Sequence, residues 1–461
     1  MKQYIQSLWQ PVNNARLVAF RVLFGLVMSY ECFGSLLNGW VKDKYVDTQY
    51  NFTFIGFDWL NVLHGSHMYA YYFIMGLLAL GIAAGFLYRI SSIFFAILWT
   101  LIYLSDKSHY NNHFYLMLLL SWLMTCMPAN KRFSADVKCK IVQPIDYCFR
   151  WQIHLFIFQV VVVYFFAATA KMNSDWLHAI PVTTWLYQRT GLPLIGHYLR
   201  NPFMPWFVAY GGLVFDLFII PALLYRRTRL FAFILSVFFH SFNSYVFSIG
   251  TFPFLALSLN VFFFSDQLLE KIVGKKVWEN KNEDENTGRQ PYGSSGWVNG
   301  LLGIYVFMQI FLPLRHWLIP GDVNWTEEGH RHSWRMMVRS KTGTSMFKIV
   351  DKKNDSIWYL PPAVFFDSSH LIEIAVLPDF TWQAAKHIEE LYKKNNQSVA
   401  IYSINQVSLN YRHTGLFIDT TIDLTHTKWN YFGHNGWILT KPKVQSLKVQ
   451  CLLGPRPTLN L

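Results

Sequence analysis

Apolar residues in this chain arrive in blocks of about 13 to 23, separated by short polar loops, and that recurrence restricts the fold more than any other feature. Read as helices, the blocks give nine candidate membrane spans at about 16–37, 67–88, 90–104, 112–128, 153–170, 206–224, 229–247, 252–264 and 297–319. Composition agrees: only 15% of residues are charged, where about 25% is usual for a soluble protein, and 52% are hydrophobic. A purely soluble enzyme is excluded on these grounds. The net charge of +13 comes without a basic stripe or nucleic-acid motif, so nucleic acid is not an expected partner. The expected fold class is a polytopic α-helical membrane domain of about nine transmembrane helices, followed by an extracytoplasmic β-rich α+β domain.

Loop charge sets the expected orientation. With the N-terminus inside, sixteen Lys and Arg fall in inner segments, among them Lys131, Arg132, Lys138 and Lys140, against six in outer loops. An odd number of crossings then puts everything after about residue 320 outside. Met1 to Arg16 lacks a cleavable signal pattern, so the first apolar run is expected to stay as an anchor. Five cysteines without C-x-x-C spacing indicate neither a metal site nor a disulfide framework.

The tail from Pro320 to Leu461 has 28 charged residues in 142, a richer mix than the preceding part. This divides the chain into a membrane domain, 1–319, and a water-facing domain, 320–461. Ser398 to Ile404 and Gly415 to Leu424 alternate as strands, and Trp382 to Lys394 has helical spacing. Trp278 to Ser295 reads as a polar inner loop.

Ionisable and amide groups at membrane level are expensive and mark functional sites when partners exist. Under the expected topology Asn111, Asn112 and His113 open the fourth span at its outer end, Lys171 closes the fifth, and His240, Asn243 and Ser244 occupy the outer half of the seventh. Each has an ordinary reading as well: a snorkelling lysine, a helix N-cap, interhelical polar contacts. Their coincidence at one depth favours a site. Desolvation there would leave the Lys171 amine free to act as a base.

The segments carrying these residues are Tyr88-Arg-Ile-Ser-Ser, Asp106-Lys-Ser-His-Tyr-Asn-Asn-His, Lys171-Met-Asn-Ser-Asp-Trp, Phe239-His-Ser-Phe-Asn-Ser-Tyr, and Asn324-Trp-Thr followed by Ser333-Trp-Arg-Met-Met-Val. In that order they resemble the vitamin K-dependent γ-glutamyl carboxylase family, with its HTTM membrane domain, in a short, bacterial-type form. The resemblance implies a coupled reaction: oxygenation of vitamin K hydroquinone (or menaquinol) by O2 drives addition of CO2 to the γ-carbon of a peptide glutamate. It implies catalytic roles for Lys171, which takes a quinol proton, and His113, which serves the carboxylation half. Asn112, His240 and Asn243 are implied around the quinone, and Trp325, His330, Arg339 and Lys341 around the peptide substrate. No metal is implied. The partners are a glutamate-containing peptide, an isoprenoid quinone and membrane lipid, with a bacterial inner membrane as the setting.

The chain departs from the animal enzymes at the substrate end: His330 stands where they have a tyrosine, and Arg339 and Lys341 replace a histidine and an arginine. Two other readings follow. One is a quinol epoxidase or oxygenase without carboxylation; the other is a non-enzymatic membrane protein sharing the HTTM helices. Asn51-Phe-Thr and Asn324-Trp-Thr form glycosylation sequons if the host modifies them.

Overall fold

The computed structural model describes residues 2–273 and 295–443. The polar loop expected over Trp278 to Ser295 lies, up to residue 294, outside the described residues, as does Cys451. The chain forms two compact units: 1–47 with 53–172 and 182–310, and 48–52 with 173–181 and 311–461.

The first unit is helical. Its principal helices are α1 (Ala15–Leu37), α2 (His67–Ala84), α3 (Tyr88–Ser105), α4 (Asn112–Cys126), α5 (Arg150–Lys171), α6 (Met204–Leu224), α7 (Arg229–Phe247), α8 (Phe252–Leu259) and α9 (Gly296–Leu314). A crossing needs about 20 apolar residues at 1.5 Å each. Among the described residues seven helices meet that test: α1, α2, α3, α5, α6, α7 and α9 with the turn that follows it. The other two of the nine expected spans differ. Helix α4 has 15 residues, roughly 22 Å of rise, too short to cross a hydrocarbon core upright. The segment from α8 through Phe263 bends by 119° into Asp266–Ile272, the geometry of a broken span or a re-entrant loop.

Why these helices pack is visible in their small residues. On α1, a Cβ at Gly25 would lie 2.7 Å from the Ala79 carbonyl oxygen and closer still to the Ala83 nitrogen, so glycine permits the α1–α2 contact. Away from such contacts, Phe231, Ile234 and Phe238 of α7 and Ile304 and Phe307 of α9 are exposed. Apolar side chains in that number suit lipid and not water. Near the N-terminus, β1 (Pro11–Asn13) pairs antiparallel with β2 (Tyr147–Phe149) and ties the chain start to the beginning of α5.

The second unit is built on a five-stranded antiparallel sheet of order β4-β3-β5-β6-β7. Its strands are β3 (Lys341–Asp351), β4 (Ile357–Leu360), β5 (Val399–Leu409), β6 (Gly415–Ile418) and β7 (Ile438–Lys443). The long central pair runs in register from Lys341 opposite Leu409 to Asp351 opposite Val399. Helices α10 (Leu371–Val376) and α11 (Pro378–Lys394) cover the sheet. Phe380, Ala384, Ile388 and Tyr392 recur every four residues on α11 and join Phe347, Ile349, Ile401 and Val407 in the core, an amphipathic stripe meeting an alternating strand face. Two short excursions complete this unit. Phe52 is buried in its core, and Asp175 accepts hydrogen bonds from Asn410 Nδ2 at 2.6 Å and from Arg412. Asn51 and Asn324 are both buried, so neither sequon presents its acceptor amide.

Candidate active site

Lys171 ends α5 after a long run without another charge, and its side chain is buried. It does not stand as the lone amine expected from the sequence. Its Nζ meets Asp216 Oδ2 at 2.6 Å, and the carboxylate is equally buried, in the middle of α6. Two oppositely charged groups at that distance inside a low-dielectric unit hold one another, because burial penalises either charge alone far more than the pair.

A second polar contact joins α5 to α7. Tyr164 lies seven residues before Lys171 on α5, about 10 Å along the axis, and its Oη shares a 3.0 Å hydrogen bond with His240 Nε2 of α7. Phe215, adjacent to Asp216, stacks on Phe239 at 3.7 Å and meets the His240 ring edge-on at 5.9 Å. His240 is 1% exposed and its other nitrogen, Nδ1, is buried without a hydrogen-bond partner among the described residues. A buried ring nitrogen left over in this way is a place for a water or a ligand atom.

His113 and His240 are brought together around one ring. Phe252, at the start of α8, lies 5.6 Å from the His113 ring and 5.7 Å from the His240 ring. Asn111 is the N-cap of α4, accepting from Phe114 N at 2.7 Å, so the ordinary reading holds for it. Asn112 is buried and accepts from Tyr110 Oη at 3.3 Å. Asn243 is half-buried, three residues beyond His240 on α7. Behind Tyr110, the rings of Trp40, Tyr45, Tyr72 and Trp99 surround a cavity of about 20 Å³ beside the Asp106–His109 pair. That space admits one water-sized molecule and not a quinone ring.

The first unit therefore brings together the rings of Phe215 and Phe252, an imidazole nitrogen without a partner among the described residues, and an amine with a counter-ion. Asp216 and Tyr164 are absent from the set read from the sequence. Asp216 had a usable signal, being the one acidic residue in the 21-residue α6. Tyr164 in an aromatic-rich helix had none.

In the second unit, three of the four expected substrate contacts converge, but on a residue of the chain itself. Glu327 sits at φ +65° just after the short helix Val323–Thr326. Lys341 Nζ lies 3.3 Å from its Oε1, Arg339 pairs with its Oε2, and His330 Nδ1 is 3.9 Å from Oε2. Lys341 also donates to the backbone carbonyls of Trp325 and Val376 at 2.7 and 2.8 Å, and lies over the Phe417 ring. Burial pushes its ammonium down to about 8, with Glu327 opposing a larger fall. Burial, and then the neighbouring Arg339, Arg335 and Arg331, keep His330 neutral well below the usual imidazole range. Trp325 is a core residue, its Nε1 donating to Leu439 O at 2.7 Å. The cations assigned to a substrate carboxylate thus already hold one.

Comparison with known proteins gives two matches. The HTTM domain family model covers residues 9–267, more than half of the chain, and the model of the vitamin K-dependent gamma-carboxylase lumenal domain covers residues 294–444. No solved structure matches. A helical membrane unit of the first kind joined to a sheet-bearing unit of the second identifies the chain as a member of the vitamin K-dependent γ-glutamyl carboxylase family.

Proposed function

We propose that this protein couples epoxidation of vitamin K hydroquinone, or menaquinol, by O2 to the addition of CO2 at the γ-carbon of glutamate in a peptide or protein. The observation that carries this reading is the buried Lys171–Asp216 pair in the HTTM unit, close to an imidazole with an unmet nitrogen. A glutamate γ C–H is too weak an acid for any side-chain base near neutral pH. The quinol, when bound, supplies that missing base strength through its reaction with O2.

The chain's own residues have narrower tasks. Lys171 receives a quinol hydroxyl proton; such a phenol-like group has a pKa of about 10, within reach of an amine. His240, Asn112 and Asn243 hold the quinol's polar edge, and Phe252 its ring. His113, whose ring also meets Phe252, stabilises charge in the carboxylation half. The helices exclude water, which would quench any strong base formed there. Trp325, His330, Arg339 and Lys341 belong to the domain that meets the peptide. The reading also includes an odd number of membrane crossings, an inner N-terminus, a division at 1–319 and 320–461, and a bacterial inner membrane with the second domain outside.

One observation favours a second reading. Because Glu327 engages Arg339 and Lys341, a quinol epoxidase without carboxylation has its own support. Purified protein supplied with reduced vitamin K, O2, a glutamyl peptide and 14C-carbon dioxide separates the two. Label in the peptide together with epoxide supports the coupled reaction; epoxide alone supports the second reading; neither product refutes both.

A further inference from the structure

The resting contact between Lys171 and Asp216 raises a chemical question: an ammonium held at 2.6 Å by a carboxylate is not a base. The geometry points to Asp216 as the positioning residue that makes Lys171 one, an inference that rests on the quinol-oxidising function above. The pair has no net charge, and passing one proton along the existing hydrogen bond leaves it so. An Nζ–H bond breaks and an Asp216 Oδ2–H bond forms, giving an amine beside a carboxylic acid. Low dielectric narrows the gap between the ionic and neutral forms, because it penalises the separated charges and leaves the neutral form almost untouched.

The amine then accepts the hydroxyl proton of the quinol. The quinol O–H bond breaks and an Nζ–H bond forms. In sum, one proton has moved from the quinol oxygen to Asp216 Oδ2 and one negative charge from Asp216 to the quinol oxygen, while Lys171 ends as it began, an ammonium facing the new anion. No oxidant enters this step. Two features of the fold hold the relay in place. Lys171 is at the last turn of α5, where its stem can extend past the helix end, and Asp216 is inside α6, where Phe215 and Phe239 stack next to it.

The test uses the full chain in lipid nanodiscs and two readouts that respond in opposite directions to Asp216→Asn. The amide can neither take the proton nor hold the amine by the charge-assisted contact that positions it, so kcat for epoxide formation should fall at least about tenfold with quinol KM changed less than about threefold. Asp216→Glu should recover part of kcat. Lys171, no longer held as an ammonium by Asp216, should react faster with a lipid-soluble acylating reagent, at least about tenfold by peptide mass spectrometry. The double variant Lys171→Met/Asp216→Leu leaves no lone buried charge and serves as the folding control. Wild-type kcat in Asp216→Asn, or a loss confined to KM, overturns the inference. If the wild type makes no epoxide, the quinol function fails, and the acylation rates still decide whether the carboxylate masks the amine: equal rates in wild type and Asp216→Asn overturn the pairing.

Discussion

Replacing Glu327 by Gln in the second unit has a consequence whose size and pH dependence follow from the cluster it holds. Lys341 has an unfolded value of 10.5 and a folded one of about 8. Between those values the folded state binds fewer protons than the unfolded state, so stability rises as pH climbs through the window, and the full deficit is present below it. Glu327 keeps the folded value from dropping further. Without that carboxylate the folded value of Lys341 falls further, and with Lys341 neutral down to pH 6 the stabilisation lost relative to wild type is about 1.4 kcal/mol for each pH unit below 8. That amounts to about 1.4 kcal/mol at pH 7, about 2.7 at pH 6 and almost nothing at pH 9. Arg339 stays charged and adds an offset independent of pH. His330, already neutral, does not titrate in this range.

Thermal scans of the full chain in detergent, read by protease cleavage within residues 341–409, measure this directly. At about 2–4 °C per kcal/mol for a unit of this size, the gap in midpoint between wild type and Glu327→Gln should be roughly 5–10 °C larger at pH 6 than at pH 9. A gap that is constant with pH, or that widens toward alkaline pH, would refute the reasoning.

Three further outcomes are expected. His113→Ala should lower CO2 incorporation into a glutamyl peptide more than it lowers epoxide formation; equal loss of both in the same assay assigns His113 a structural role. Gly25→Ala should destabilise the helical unit by about 1–3 kcal/mol, because the added methyl must displace α2 backbone, and a wild-type melting temperature contradicts that packing argument. Tyr164→Phe removes the hydroxyl from His240 Nε2, so that neither ring nitrogen keeps a hydrogen-bond partner among the described residues. Quinol KM should rise several-fold with little change in Lys171 acylation, and an unchanged KM removes His240 from the quinol's surroundings.

The architecture was legible where periodicity is strong. The apolar blocks became helices, the alternation at Ser398 to Ile404 became the first half of the longer strand β5, and the spacing of Ala384 and Ile388 became the buried stripe of α11. The broken segment after Phe252 was not legible as such, because hydropathy averages over a bend that Phe264 and Ser265 introduce between two apolar helices. At the site, Lys171, His113 and His240 stood out as polar residues in apolar runs. Asp216 met the same criterion and was missed, because attention to one depth inferred from span ends passes over a carboxylate in mid-helix. Glu327 could not be paired with Lys341 from sequence: the contact depends on a left-handed turn and on Lys341 opening a strand that follows a long irregular segment. Chemistry-bearing residues are visible in a sequence one at a time, whereas the pairs that tune them are properties of the packing.

The claim on which the account depends is that the Lys171 amine takes a proton from a quinol inside the helical unit. Epoxide formed per mole of purified protein, from reduced vitamin K and O2, in wild type and in Lys171→Ala of equal stability, tests it. The account predicts quinol-dependent epoxide from the wild type and a loss of at least about 100-fold in the variant. Epoxide formation by Lys171→Ala at the wild-type rate would contradict it.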